Sequence, residues 1–409
     1  MAQPARRPWT RRRIVLLAAV LLLAAAGTAA ALWAIGVFRH GSTSGASACR
    51  SAPASTTPQP SGIFAPSPTA PPAPQPPPVA AAKHYEYVFP GGGVDVYDAD
   101  AGWKLVKHVD LPTTDGVRGV AVGAPESMLY VSHGGDGGFY HDGSLLKYDL
   151  ARDQIVWNVG YNHGIDSFSI TPDGNRIYMP DGEISGDSTW CVVDTANGAE
   201  IGRIDGGNGP HNTVVSASGQ HVYFGGRFDD HLIVADTSTG KVTGRIGPLR
   251  QDLRPFAISA DERYAFTTAS DYIGFQVSDI SARRVLYSVS VPGFRRDPPP
   301  ALDAPSHGIS LSPDEREVYV VDQPNSYVHV FDVTGLPAAA PRKVADIALR
   351  SPLGEGMEKG CAYDCEKFSW LQHSLRPPQV GMSILLRFMP RRAGRSVGGG
   401  PRGCSLVWR

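Results

Sequence analysis

Five similar stretches of this 409-residue chain each open on an ionisable residue: Arg118, Asp166, His211, Arg254 and His307. A sixth candidate, His163, stands three residues ahead of Asp166 in YNHGIDSFSITPDG, a phrase that returns at 305 as PSHGISLSPDE. Residues of these types, brought together, could do three things. Imidazoles and guanidiniums could hold a small polar ligand or a protein loop. His163, His211 and His307, as neutral imidazoles beside the Asp166 carboxylate, could coordinate a divalent metal ion, although Arg118 and Arg254 would repel one. Or the groups could line a wet passage, satisfied by water and by one another. No GxSxG elbow, HExxH helix, GxxxxGK[ST] loop or CxxCH haem motif stands anywhere in the chain, so no ready-made catalytic signature chooses among them.

What must position these residues is a repeat. Aligned on the aromatic of a second strand, the stretches read RGVAVGAPESMLYV, DSFSITPDGNRIYM, HNTVVSASGQHVYF, RPFAISADERYAFT and HGISLSPDEREVYV. Each continues through a polar loop to a third strand that closes on Asp, as in LLKYD, WCVVD, LIVAD, GFQVSD and VHVFD. A short turn such as TANG or TSTG leads to a fourth strand. Four short strands per unit at a spacing of roughly 40 to 50 residues is the pattern of β-propeller blades. The first strand of each blade lines the central channel, so the five aligned residues are expected to converge there, with His163 reaching the same mouth from its loop. The unit at 84–112 lacks a first strand, and FSWLQHS at 368–374 begins a seventh unit that would have to help close the ring. The expectation is an all-β, seven-bladed β-propeller over 83–374, its last blade incomplete as written.

The phrases HGISLSPDEREVYVVD and TWCVVDTANGAEIGRI resemble the YVTN-type repeats of YncE-like propellers, a family related in fold to lactonase-type seven-bladed propellers. The resemblance covers about 84–374 and implies the fold more than the activity, because such propellers host binding proteins, hydrolases and metal-dependent oxidoreductases alike. Three functions follow as expectations. The first is a ligand- or protein-binding scaffold acting through the channel mouth. The second is a lactonase-type hydrolase using a divalent metal ion, and the third a redox metal protein using axial histidines.

Composition and the flanking segments bound these readings. The formal charge of −1 conceals an asymmetry, since all 39 Asp and Glu lie between Glu86 and Glu366 while seven Arg precede residue 51 and seven follow residue 375. The strongly acidic middle repels phosphate backbones, so no nucleic-acid partner is expected. Residues 14–38 carry no charge and follow five arginines in 1–13. At about 1.5 Å per residue that run outspans a ~30 Å hydrocarbon core, and the arginines orient it with the cytoplasm on their side. A single-pass signal anchor, with a transmembrane helix that places the propeller outside the cytoplasm at the cell membrane, is therefore expected, with cleavage near Thr28 as the alternative. The Pro-, Ala- and Ser-rich stretch 39–82 is a semi-extended spacer. Cys361 and Cys365 form the one close cysteine pair and would suit a local disulfide outside the cytoplasm. Cys191, inside TWCVVD, reads as a small buried hydrophobe. Residues 375–409 hold seven arginines, no acid and no alternating strand pairs, which suggests a shifted reading frame near codon 374. Translation of the other frames checks it, because neither would supply further strands if the idea were wrong.

Overall fold

Within each repeat the second and third strands are mostly buried, whereas the fourth is largely exposed or half-buried, a gradient from inside to rim. The computed structural model describes residues 85–348, apart from 90–92, 112–116, 124–126, 135–142, 183–187, 271, 294–303, 323–324 and 326, together with Leu371. Among the described residues there are six antiparallel sheets, one of three strands and five of four. They are blades I (85–110), II (119–160), III (169–205), IV (210–246), V (253–290) and VI (309–348). In blades II to VI the strands lie side by side in chain order. The first strands of successive blades touch one another from II through VI. These five strands are Gly119–Gly123, Ser169–Ile170, Pro210–Val215, Leu253–Ile258 and Ile309–Leu311, and they form the innermost layer. The fourth strands, such as Gln154–Gly160, are mostly exposed.

The described blades number six rather than the expected seven. The seventh rested on one strand-like run, FSWLQHS, of which only Leu371 is described, as a buried residue. A single strand without following partners does not make a sheet. Blade I has the predicted three strands, Tyr85–Val88, Gly93–Asp98 and Lys104–Asp110, with no first strand among the described residues. The expected transmembrane segment 14–38, the spacer 39–82, the tail 375–409 and the Cys361–Cys365 pair lie outside the described residues. Among those described, no helix is long and apolar enough to cross a membrane.

Burial occurs chiefly between blades. Each of the five apolar clusters joins two neighbours: Val94 and Leu111 of I with Leu129 and Leu146 of II, for example, or Trp190 of III with Phe224 of IV. The remaining clusters join II to III, IV to V and V to VI. A blade thus depends on its neighbours for most of its desolvation.

The Asp that closes every third strand has a local cause. Asp98, Asp149, Asp194, Asp236, Asp279 and Asp332 each accept backbone N–H bonds from the turn that follows, as Asp149 Oδ1 does from Ala151 and Arg152 at 2.9 and 2.8 Å. Such Asx turns mimic a backbone turn. Hydroxyl donation from Ser238, with N–H and hydroxyl donation from Thr239, pulls Asp236 down to about 2. Part of the chain's acidity therefore serves turns rather than a cation site.

One acid behaves oppositely. Glu86, on the strand that edges the three-stranded sheet of blade I among the described residues, is pushed up to about 7 by burial. A raised carboxyl binds its proton in the folded state, so this group's stabilising contribution is complete below about pH 4.5 and is lost as the pH rises through about 7. Glu86→Gln is expected to raise Tm at pH 8 and to leave it nearly unchanged at pH 4. A variant no more stable than the native chain at pH 8 would show that the carboxylate is solvated.

Candidate functional site at the channel mouth

The first strands deliver their opening residues to the axis with the help of bulges. The ladder of blade IV slips between Pro210 and Asn212, and that of blade V between Leu253 and Phe256. His211 and Arg254 sit in these irregularities. An extra residue bends the strand and re-aims a side chain, a device common beside functional sites. Gly209, at φ +66°, makes the turn into His211, and Phe228 packs so closely against it that a Cβ would fall 2.7 Å from the ring. Only glycine meets both demands.

The structure brings Asp166, His211 and His307 together. His211 Nδ1 lies 2.6 Å from Asp166 Oδ2, with both side chains 3% exposed. The His211 and His307 rings approach to 6.0 Å between centroids. His211 belongs to blade IV and His307 precedes blade VI, so their contact passes over blade V and must cross the channel. The carboxylate accepts from Nδ1 and thereby fixes the tautomer that leaves the Nε2 lone pair bare. That Nε2 is buried and has no hydrogen-bond partner among the described residues. It can ligate an ion, accept a hydrogen bond or take a proton from a bound molecule.

Arg118 and Arg254 are buried. Arg254 Nε donates to Ser270 Oγ at 2.9 Å, and its Nη2 lies 3.7 Å from Asp252 Oδ1, which also receives Arg227 Nε at 3.2 Å. Arg227 and Asp252 were not singled out in the sequence because neither opens a repeat. Around the mouth, Asp229, Asp230 and His231 bring ligand atoms within 4.8 Å of one another, but they are consecutive residues and only half-buried.

His163 does not join the histidines at the axis. Its Nε2 lies 2.6 Å from Glu200 Oε1 and 3.6 Å from Cys191 Sγ, while its Nδ1 lies 2.6 Å from the Gly164 carbonyl. The reason is spacing. Eight residues separate His163 from Thr171, but five separate His307 from the matching Ser312. The longer lead puts Asp166 at the axial register and leaves His163 on the crossing loop. The expected three-histidine metal set is thus divided, and a redox centre built on it loses one ligand. Glu200 and Cys191 were missed as partners, since the first opens a fourth strand and the second matches a core position.

No family model matches the chain, and no curated protein does either. Similar solved structures include hydrazine synthase of Kuenenia stuttgartiensis, at 16% identity and TM-score 0.39 over 57% of this chain and 87% of that one. A functionally unknown protein from Desulfotomaculum acetoxidans is similar at 14% and 0.48, over 63% and 79%. The Cps50 (Swd1) β-propeller domain of Myceliophteria thermophila is similar at 12% and 0.45, over 57% and 71%. The propeller is established by the blades themselves.

Proposed function

We propose that this chain is a β-propeller binding module that takes a small polar ligand at its channel mouth. The observation that carries this is the Asp166–His211 pair, whose buried Nε2 lacks a partner among the described residues and whose imidazole stands beside that of His307. A buried polar atom left unpaired costs about 1–3 kcal/mol, so a molecule that supplies the missing bond recovers it on binding. Two buried guanidiniums, Arg118 and Arg254, favour a ligand with a carboxylate or phosphate group, which arginine can hold with two parallel bonds. The uncharged run 14–38 behind five arginines supports a membrane anchor with the propeller on the extracytoplasmic side, and the repeat phrases support kinship with YVTN-type propellers.

Calorimetric titration with a panel of small carboxylates and phosphate esters tests this reading. At least one that also offers an O–H or N–H to Nε2 should bind, and His211→Ala should weaken it roughly 2- to 10-fold, as loss of a buried neutral hydrogen bond worth about 0.5–1.5 kcal/mol implies. Equal affinity in the variant would place the ligand elsewhere. A carboxylate-held imidazole also fits a general base, which keeps the hydrolase reading in view. Lactone hydrolysis lost both on chelation and in His211→Ala would replace simple binding by metal-dependent hydrolysis.

A further inference from the structure

The histidine that misses the axis faces two other Lewis bases. His163 sits on the loop that carries the chain from the fourth strand of blade II to the first strand of blade III. Cys191 and Val193 share one face of the third strand of blade III, and Val193 packs there with Tyr130 and Leu145 of blade II. The seam between the two blades therefore holds Cys191, and Glu200 opens the adjoining fourth strand.

The Gly164 carbonyl can only accept, so His163 Nδ1 carries the hydrogen in that 2.6 Å bond. Nε2 then faces the Glu200 carboxylate and the Cys191 sulfur, and the three ligand atoms lie within 4.8 Å of one another. Two lone-pair donors 2.6 Å apart require a positive centre between them. A proton on Nε2 is one such centre and makes an imidazolium–carboxylate pair. A metal ion is another, and it would engage the neighbouring sulfur, 3.6 Å from Nε2, as a third donor.

We propose that His163, Cys191 and Glu200 form a site for a divalent zinc-type ion, separate from the channel mouth. One imidazole nitrogen, one thiolate and one carboxylate are a borderline-soft donor set suited to that ion, and the two anions balance its charge in a largely buried place. Binding releases the thiol proton to solvent, and any proton on Nε2 with it. Bonds of about 2.0–2.3 Å to a tetrahedral ion place donors roughly 3.3 Å apart or more, so Glu200 must withdraw by less than ~1 Å from His163. Three protein donors leave a fourth position for water.

The surroundings are built to hold the donors. Arg203 Nη2 donates to the second carboxylate oxygen of Glu200 at 3.0 Å. Tyr161 stacks on the imidazole at 5.2 Å, and its hydroxyl donates to Gly198 O at 2.9 Å. The loop is clamped on both sides of His163, with Gly143 N donating to His163 O at 3.0 Å and Tyr161 N donating to Gly143 O at 2.7 Å. A Cβ at residue 143 would stand 2.8 Å from that His163 oxygen, so the glycine permits the approach. Outer contacts of this kind orient metal ligands and support affinity.

Cobalt(II) titration of the full-length chain, purified and stripped by chelator, tests the site. One equivalent should bind with a thiolate-to-cobalt charge-transfer band and the intense visible bands of tetrahedral cobalt, zinc should displace it, and Tm should rise with added metal. Cys191→Ser should abolish the charge-transfer band, and Glu200→Gln should weaken binding about 10-fold or more, whereas His211→Ala should leave both unchanged. Glu200, being part-exposed, gives a readout even if the cysteine variant folds poorly. The proposal is overturned by absence of cobalt binding, by binding without the thiolate band, or by binding that survives Cys191→Ser but not His211→Ala.

Discussion

His329→Ala is expected to destabilise the propeller by about 3–5 kcal/mol, the usual cost of removing one partner from a buried ion pair. His329 lies on the third strand of blade VI with no exposed side-chain surface, and both its nitrogens are taken: Nδ1 by Asp346 Oδ1 at 2.6 Å and Nε2 by Asp322 Oδ2 at 3.1 Å. Tyr327 stacks against the ring, with centroids 5.9 Å apart. Asp322 is itself fully buried and also accepts from Asn325 N and Nδ2, at 2.8 to 3.2 Å. Without the imidazole a fully buried carboxyl oxygen of Asp322 loses its donor. For a domain of this size the loss corresponds to a fall in Tm of roughly 10 °C. Adding Asp322→Asn to His329→Ala should recover part of it, because an amide costs less to bury than a carboxyl group that has lost its partner. A drop under about 1 kcal/mol, or a double variant worse than the single one by the full Asp322→Asn effect, would show that the pair is not coupled.

Trp190→Ala should cost a comparable 3–5 kcal/mol, through cavity formation rather than charge. The indole is fully buried at the seam of blades III and IV, within a cluster containing Tyr178, Val222, Phe224 and Ile233. Its ring meets Phe224 at 4.8 Å between centroids, and Nε1 donates to Thr213 Oγ1 at 2.8 Å. Gly206 has no room for a side chain, since a Cβ would fall 2.4 Å from the indole, so the void left by alanine is not filled from that side. Thr213 lies two residues beyond His211 on the first strand of blade IV, and the substitution should therefore loosen the channel mouth as well as the seam. Urea denaturation measures the first effect and ligand titration the second. Trp190→Phe, which keeps most of the ring and loses the hydrogen bond, should fall between the native chain and Trp190→Ala. If both variants unfold at the native midpoint, the indole is not part of the cooperative core.

Most of the fold was legible in the chain because a repeat states the same local physics several times. The period-2 apolar pattern of LIVAD or VHVFD, the aromatic of each second strand and the turn-capping Asp are all local signals, read without knowledge of what packs where. Five complete blades and the three strands of the first followed from them. The seventh blade did not, because it was inferred from a single strand-like run in the sequence, FSWLQHS, and a sheet is made by pairing rather than by a single run.

Placement of the functional side chains divides along the same line. Sequence alone determined that Arg118, Asp166, His211, Arg254 and His307 open their repeats, and a ring of equivalent strands brings equivalent registers inward. It could not decide that His211 meets Asp166 and His307 rather than His163. Both HGI phrases look alike locally, yet a lead of eight residues rather than five sends one histidine to the axis and the other to Cys191 and Glu200 in a seam. The bulges that aim His211 and Arg254 arise from mismatched ladders, and a mismatch exists only once two strands are paired. Side-chain type is written residue by residue, whereas partners are chosen by the closure of the ring, and that is why the kind of chemistry was visible in the sequence while its geometry belonged to the tertiary structure.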